Sequence, residues 1–245
     1  MLEVCLRLTS TLNQLAAHQT NPAQAEDRLR SGQVPHHVHD ADALLGLDPL
    51  QAVPVRQALS RIAHAPTPRT GVAPWALLLP RPGRMAGLRG PLELNRAALA
   101  AGAVVMSHEG ELAWLGQQVG AGVQWRLMRA NTPLPVPDPR DAARQLGQVM
   151  TAAAQGLDAL DLVAGQRPDQ LHSPTLGEGY DARAQQLLDR AWLVLAATDQ
   201  ALAEQHEVLH SHGVLTRERH LRELADAALD AISAAASWPE WALQE

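Results

Sequence analysis

Prolines at alternate positions between residues 131 and 139 divide the chain into two parts of different character. Pro133, Pro135 and Pro137 lack the backbone N–H that a helix requires, and each also keeps the residue before it extended. Before this segment, short apolar runs alternate with turn residues. After it, apolar side chains recur at helical spacing. We therefore expect a sheet-containing part followed by a helical part.

The pattern of residues 72–130 predicts a β-α-β-β-β unit. A Gly/Arg loop separates its first strand from its helix, and His108-Glu109-Gly110 predicts a hairpin turn. In the last strand, apolar and polar side chains alternate, which is typical of a strand with one buried face. The predicted strands are 75–79, 103–107, 111–115 and 123–129, and the predicted helix is 92–101.

Residues 1–66 are predicted to be helical throughout. Apolar residues from Leu2 to Leu15 recur at intervals of three and four, as on one face of a helix, and Cys5 lies in that pattern. Asn21 followed by Pro22 predicts an N-cap with proline at the first helical position. A third helix is expected over 53–63.

The region 138–245 is expected to form one helix to about residue 160 and then two longer helices. The two longer helices are predicted to be broken at Gly213 and to pair as an antiparallel hairpin. Trp238 and Trp241 lie on the tail beyond them. Such a tail either folds back onto the protein or contacts a partner, and folding back is the favoured alternative.

These patterns predict an α+β protein that is predominantly helical. We expect three segments: an N-terminal helical segment (1–66), a small mixed or antiparallel sheet unit (72–130) and a C-terminal helical region (138–245). The C-terminal region is expected to pack with residues 1–66 as one helical body that carries the sheet unit.

Charge is distributed unevenly along the chain. Residues 49–92 contain six arginines and no acid, whereas residues 138–245 contain seventeen acids and eight arginines. The net charge of -6 argues against general nucleic-acid binding. One cysteine excludes an internal disulfide and is typical of a cytoplasmic protein, and no uncharged apolar run is long enough to span a membrane.

The first candidate site is His206-Glu207-Val208-Leu209-His210, which has the form H-E-x-x-H. Histidines four apart on a helix share one face and can chelate zinc, while the glutamate activates a metal-bound water. The string resembles the zincin metallopeptidase motif, which implies zinc held by His206 and His210 with Glu207 as the catalytic base. The alternative is a solvated, charged helix end.

A second cluster, His36-His37-Val38-His39-Asp40-Ala41-Asp42, has three imidazoles and two carboxylates that could hold a divalent metal. Its His39-Asp40 pair resembles the paired His-Asp of HD-type phosphohydrolases. The alternative is a surface loop in which Asp40 or Asp42 caps the following turn.

The third candidate is the loop from Pro80 to Pro91, which enters the predicted helix 92–101. Backbone N–H groups at a helix start together with forked guanidinium donors suit phosphate or carboxylate. The alternative is a structural loop whose arginines pair with acids of the C-terminal helices. The predicted anion ligands are Arg81, Arg84, Arg89 and Arg96.

Because each catalytic set is incomplete, the leading hypothesis is a non-enzymatic binding or regulatory module without a cofactor. The helical hairpin and the tryptophan-bearing tail are its expected contacts with a protein partner. The alternatives are a zinc-dependent hydrolase using His206, Glu207 and His210, and a binder of small anions such as phosphate or nucleotide through the arginine loop.

Overall fold

A computed structural model describes residues 1–30, 34–64, 71, 73–160, 172–203 and 211–243. The helices of these residues are α1 (Leu2–Ala16), α2 (Pro22–Leu29), α3 (Val55–Ile62), α4 (Leu92–Ala101), α5 (Pro139–Asp158), α6 (Ala182–Ala203) and α7 (Ser211–Ser237). The strands are β1 (His36–His39), β2 (Val53–Pro54), β3 (Trp75–Leu78), β4 (Val104–Ser107), β5 (Ala113–Val119) and β6 (Gly122–Met128). The predicted fold class, α+β and predominantly helical, is confirmed.

One mixed sheet has the strand order β2-β1-β6-β5-β4-β3. The β1–β6 pair is parallel and the other neighbours are antiparallel. Strands β3 to β6 with helix α4 are the predicted β-α-β-β-β unit. In β6 the alternation predicted from sequence holds as far as Leu127, because Val123, Trp125 and Leu127 are buried while Arg126 is exposed, and it ends at Met128, which is also buried.

The prediction that the opening of the chain is all helix is wrong for β1 and β2. Strand β1 pairs along its full length with β6, His36 opposite Val123 and His39 opposite Arg126. His36 and Val38 are buried and His37 is exposed, which is the period of two expected for a strand. A four-residue strand with three histidines has almost none of the β-branched and aromatic composition by which strands are recognised.

The free edge of β3 is covered by side chains of α1 and α7. Asn13 Oδ1 accepts a hydrogen bond from the Trp75 backbone N–H at 2.9 Å, and Asn13 Nδ2 donates to the Trp75 carbonyl at 3.2 Å. Farther along the strand, the Leu77 N–H donates to Ser237 Oγ at 3.0 Å. Because an open edge strand invites pairing with other chains, these contacts close the sheet on this side.

The chain forms two compact units. Unit 1 comprises Met1–Val136, Thr175–Asp181 and Ala236–Glu245, and unit 2 comprises Pro137–Pro174 and Ala182–Ala235. Both the predicted N-terminal segment and the predicted sheet unit therefore belong to unit 1. The region 138–245 is divided, because two of its segments return to unit 1.

Unit 2 contains α5, α6 and most of α7, and α6 with α7 is the predicted C-terminal helical pair. Near the joined ends of this pair, Arg217 Nη2 donates to the Ala201 carbonyl at 2.5 Å. The predicted break at Gly213 is wrong, because Gly213 lies in the first turn of α7. Among the described residues, no helix is long and apolar enough to cross a membrane.

The C-terminal tail folds back within unit 1, as favoured from the sequence. Trp238 Nε1 donates to the Val136 carbonyl at 3.3 Å, the Glu240 N–H donates to the Gly179 carbonyl at 2.8 Å, and Ala242 is fully buried. The tail thus has a structural role in unit 1, and its contact with a protein partner remains a prediction.

Two glycines of α5 provide a matched test of packing in unit 2. A Cβ at Gly156 would lie 2.3 Å from His220 Nε2 of α7, whereas a Cβ at Gly147 would meet nothing within 4 Å. Alanine is favoured over glycine in a helix by about 1 kcal/mol. We expect Gly147→Ala to raise the free energy of unfolding by up to that amount.

Gly156→Ala is expected to lower the same free energy by about 1 to 2 kcal/mol, because the His220 ring must leave its packed position. Urea unfolding of both variants measures the difference. The double variant Gly156→Ala/His220→Ala should lose less than the sum of its two single changes, since the collision is absent. Equal, stabilising effects of the two alanines would show that α5 and α7 do not pack at Gly156.

Candidate ligand-binding cleft

The four predicted anion ligands lie along the loop and helix that follow β3. Arg81 and Arg84 form a tight antiparallel bridge in which each N–H donates to the other's carbonyl at 2.8 Å, and Arg81 Nη1 also donates to the Leu79 carbonyl at 3.1 Å. Arg89 and Arg96 are exposed. The structure thus places Arg81 and Arg84 together, and a shared ligand for all four remains a prediction.

The start of α4 already carries a negative group. Glu93 lies in the first turn, where it interacts favourably with the helix dipole, and it accepts a hydrogen bond from Arg126 at 2.6 Å. The Gly90 N–H is also occupied, because it donates to Asn95 Oδ1 at 3.0 Å. An anion at this helix start would have to share the site with the Glu93 carboxylate.

The zinc motif lies outside the described residues, so His206, Glu207 and His210 remain a prediction. Within the described part of the chain, no group of three or more histidine, cysteine, aspartate or glutamate side chains is placed to hold a metal ion.

The histidine-rich segment is built into the fold instead of forming a cluster. His36 is 5% exposed, and its Nδ1 accepts a hydrogen bond from Trp125 Nε1 at 3.1 Å. His39 Nε2 is 3.2 Å from the Pro49 carbonyl. The Asp40 carboxylate accepts from three backbone N–H groups of the following turn, those of Leu44, Leu45 and Leu47. These contacts support the alternative in which Asp40 caps the following turn.

Burial lowers the pKa of His36 from 6.5 to about 4, and the positive charges of Arg30 and Arg7 act in the same direction, against a smaller opposite effect of Glu26. The folded protein therefore holds His36 neutral with Nδ1 as acceptor. In the unfolded chain the same imidazole is protonated below its ordinary pKa.

We therefore expect the contribution of His36 to the free energy of unfolding to be constant above pH 6.5 and to fall as the pH drops from 6.5 towards 4. The full loss from this one residue is at most about 3.5 kcal/mol, because each unit of pKa difference corresponds to about 1.4 kcal/mol. Urea unfolding at several pH values measures it. His36→Gln should flatten this dependence and the exposed His37→Gln should not; an unchanged slope in His36→Gln would contradict the assignment.

A cleft of about 430 Å³ lies within unit 1, beside the polar face of α1. Arg7, Ser10, Thr11 and Gln14 follow one another at helical spacing, so they line the cleft side by side. The opposite α1 face is part of the core, where burial raises the pKa of the Cys5 thiol to about 12. The remaining lining residues are Arg28 of α2 and the segment Thr175, Leu176, Gly177 and Glu178.

Hydrogen bonds from the Gln14 side chain hold the segment 175–178 against α1. Its Nε2 donates to the Glu178 carbonyl at 2.7 Å and to the Leu176 carbonyl at 3.3 Å. Gly177 allows this approach, because a Cβ there would lie 2.9 Å from Gln14 Nε2 and its φ of +86° favours glycine. The cleft wall therefore depends on an amide in α1 and on a segment far along the chain.

The polar groups of the cleft are only partly used by the protein. Gln14 is 2% exposed, yet its Oε1 accepts no hydrogen bond from the described residues. Arg7 is paired with Glu3 through Nη2, which uses one of the five guanidinium N–H donors. Arg28 approaches Glu178 only to 3.9 Å. The cleft thus offers two guanidinium groups to a ligand, whereas the Gln14 Oε1 atom is itself buried.

Sequence reasoning missed this cleft. The polar spacing of α1 from Arg7 to Gln14 is visible in the sequence, but a polar helix face usually indicates contact with solvent. The other wall follows Gln14 by more than 160 residues, as the separation of 162 between Gln14 and Leu176 shows. No local pattern connects the two.

Two family models match the chain. Residues 6–143 match "Rv1486c-like protein, N-terminal domain", and residues 140–233 match "Rv1486c-like protein, C-terminal domain". No curated protein and no solved structure matches. The two matches overlap over residues 140–143, directly after Pro139, where α5 begins. The second match ends before Ala236, where the chain returns to unit 1.

Proposed function

The chain belongs to the Rv1486c-like protein family, and we propose that it is a non-enzymatic binding protein that takes up a small anionic molecule in the cleft of unit 1. The observation that carries this proposal is the lining of the cleft, in which Arg7 and Arg28 lie beside buried hydroxyl and amide side chains.

Size and chemistry support a small ligand. Pockets for small molecules usually have volumes of about 300 to 1,000 Å³ and a few polar groups that fix the ligand's orientation. The volume of about 430 Å³ falls in this range. Guanidinium groups bind carboxylate and phosphate through paired N–H donors.

The predicted arginine loop is the second proposal for an anion site. Its support is the exposure of Arg89 and Arg96 and the backbone bridge between Arg81 and Arg84. The two proposals assign the anion to different arginines, so substituting the arginines of one site at a time distinguishes them.

We expect thermal unfolding to shift upwards with a carboxylate or a phosphate compound from a panel of orthophosphate, mono- and dicarboxylates and nucleotides. A ligand present at one hundred times its Kd stabilises the native state by about 2.7 kcal/mol. Arg7→Gln and Arg28→Gln should each weaken binding about fivefold, the size expected for a partly exposed charged contact.

The control is Arg144→Gln in unit 2, whose side chain is 66% exposed and paired with Asp141. It should bind like the unchanged protein. Loss of binding in Arg96→Gln, with Arg7→Gln and Arg28→Gln unaffected, would assign the anion to the loop and remove it from the cleft. The absence of a shift with every member of the panel would refute both sites.

A further inference from the structure

We infer that Glu178 restricts the cleft to ligands with one anionic group, held near Arg7, and a neutral polar remainder. This inference rests on the proposed function and names the class of ligand: small acids with a single carboxylate or phosphate group. It follows from the charged residues of the cleft lining, which are two arginines and one glutamate.

The Glu178 carboxylate stays at the cleft wall because the backbone around it is held in place. Gln14 Nε2 donates to the Glu178 carbonyl at 2.7 Å and to the Leu176 carbonyl at 3.3 Å. The next carbonyl, that of Gly179, accepts a hydrogen bond from the Glu240 N–H at 2.8 Å. The side chain can rotate, but the segment that carries it cannot withdraw without breaking these bonds.

Arg28 is the cation that Glu178 neutralises. Arg28 Nη2 lies 3.9 Å from Glu178 Oε2, which is within the distance of an ion pair but too long for a hydrogen bond. The pair therefore contributes little to stability, yet it places a negative charge where a ligand group would reach Arg28. A second anionic group of a ligand would meet this carboxylate, and like charges brought together weaken binding.

Arg7 is the better position for the single anionic group. It is paired with Glu3 through Nη2, which leaves other guanidinium N–H donors for a ligand. Arg30 is a second positive charge near this end of α1, since Arg7 and Arg30 both act on the buried imidazole of His36. A carboxylate or phosphate group is therefore best held here.

The wall between the two ends is polar and neutral. Ser10 and Thr11 are buried, at 5% and 2% exposure, and both line the cleft. Gln14, which holds the backbone of Glu178, lies about 10 Å farther along α1 than Arg7, at a rise of about 1.5 Å per residue. The lining has no third cation for a second acidic group.

Succinamate and succinate test the inference, because they have nearly the same shape and differ in whether the second end is a carboxamide or a carboxylate. We expect isothermal titration at neutral pH to give succinamate a Kd about five times lower than that of succinate, the factor expected for one exposed charge contact. Arg7→Gln should weaken both compounds, since each keeps one carboxylate.

Glu178→Gln should remove the preference for succinamate, mainly by tightening succinate, and its side chain is 82% exposed, so the fold should be kept. Asp42→Asn removes an exposed carboxylate of unit 1 that does not line the cleft, and it should keep the preference. Equal binding of the two compounds, tighter binding of succinate, or a preference that survives Glu178→Gln would overturn the inference while the cleft remains a binding site. If neither compound binds, the inference is also wrong, and the proposed function fails with it only when no anion of the panel raises the melting temperature.

Discussion

Asn13→Ala is expected to lower the free energy of unfolding by about 3 kcal/mol or more, one of the largest single effects in this protein. Asn13 is fully buried in α1 and bonds both the N–H and the carbonyl of Trp75 on the edge strand β3. Its Nδ2 is also 2.9 Å from Tyr180 Oη and 3.3 Å from the Ala236 carbonyl. One amide therefore connects three segments of unit 1.

The loss of stability is large because Asn13→Ala removes the hydrogen-bond partner of buried polar groups. Alanine would leave the Trp75 N–H and carbonyl buried without partners, and each orphaned group costs about 1 to 3 kcal/mol. Tyr180 keeps its bond to the Ala236 carbonyl at 2.7 Å, so part of the junction survives. Burial also raises the pKa of Tyr180 far above its ordinary value, which keeps its hydroxyl protonated as a donor.

Urea unfolding compares Asn13→Ala with Gln117→Ala, which removes an exposed amide from β5 of the same unit. The control should change stability by less than about 0.5 kcal/mol. A similarly small change in Asn13→Ala would mean that the edge of β3 is held by other contacts.

Asp40→Ala should be nearly as damaging, with an expected loss of about 3 kcal/mol, because three backbone N–H groups lose one charged acceptor. Asp40 is fully buried, and its bonds to Leu44, Leu45 and Leu47 range from 2.7 to 3.3 Å. Asp42 is the matched control, since it is an exposed aspartate two residues away.

Thermal unfolding of Asp40→Ala and Asp42→Ala, each with and without a chelator, measures both the structural role and the metal hypothesis. We expect a large drop for Asp40→Ala only, and no effect of the chelator on any of the proteins. Equal losses in both variants together with a chelator-dependent loss in the unchanged protein would restore the interpretation of residues 36–42 as a metal site.

The elements that could be predicted from sequence are those whose pattern is local and repeated. Strand β6 was recognised because Val123, Trp125 and Leu127 alternate with polar residues, and α2 because Asn21 and Pro22 start a helix. Asn21 does accept hydrogen bonds from the N–H groups of Ala23 and Gln24.

The elements that were missed depend on partners far away in the chain. Strand β1 exists because β6, nearly ninety residues later, provides its neighbour, as the separation of 89 between His36 and Trp125 shows. The cleft needs Gln14 and Leu176, which no pattern relates. The return of residues 175–181 and 236–245 to unit 1 is likewise a property of tertiary packing rather than of local propensity.

The most direct test of the binding cleft is a crystal structure of the protein soaked in selenate, a tetrahedral oxyanion whose selenium is located by anomalous scattering. We expect an anomalous peak within hydrogen-bonding reach of the Arg7 guanidinium group, absent from crystals of Arg7→Gln. A peak confined to the loop of Arg81 to Arg96, or none near Arg7 or Arg28, would contradict the proposed site.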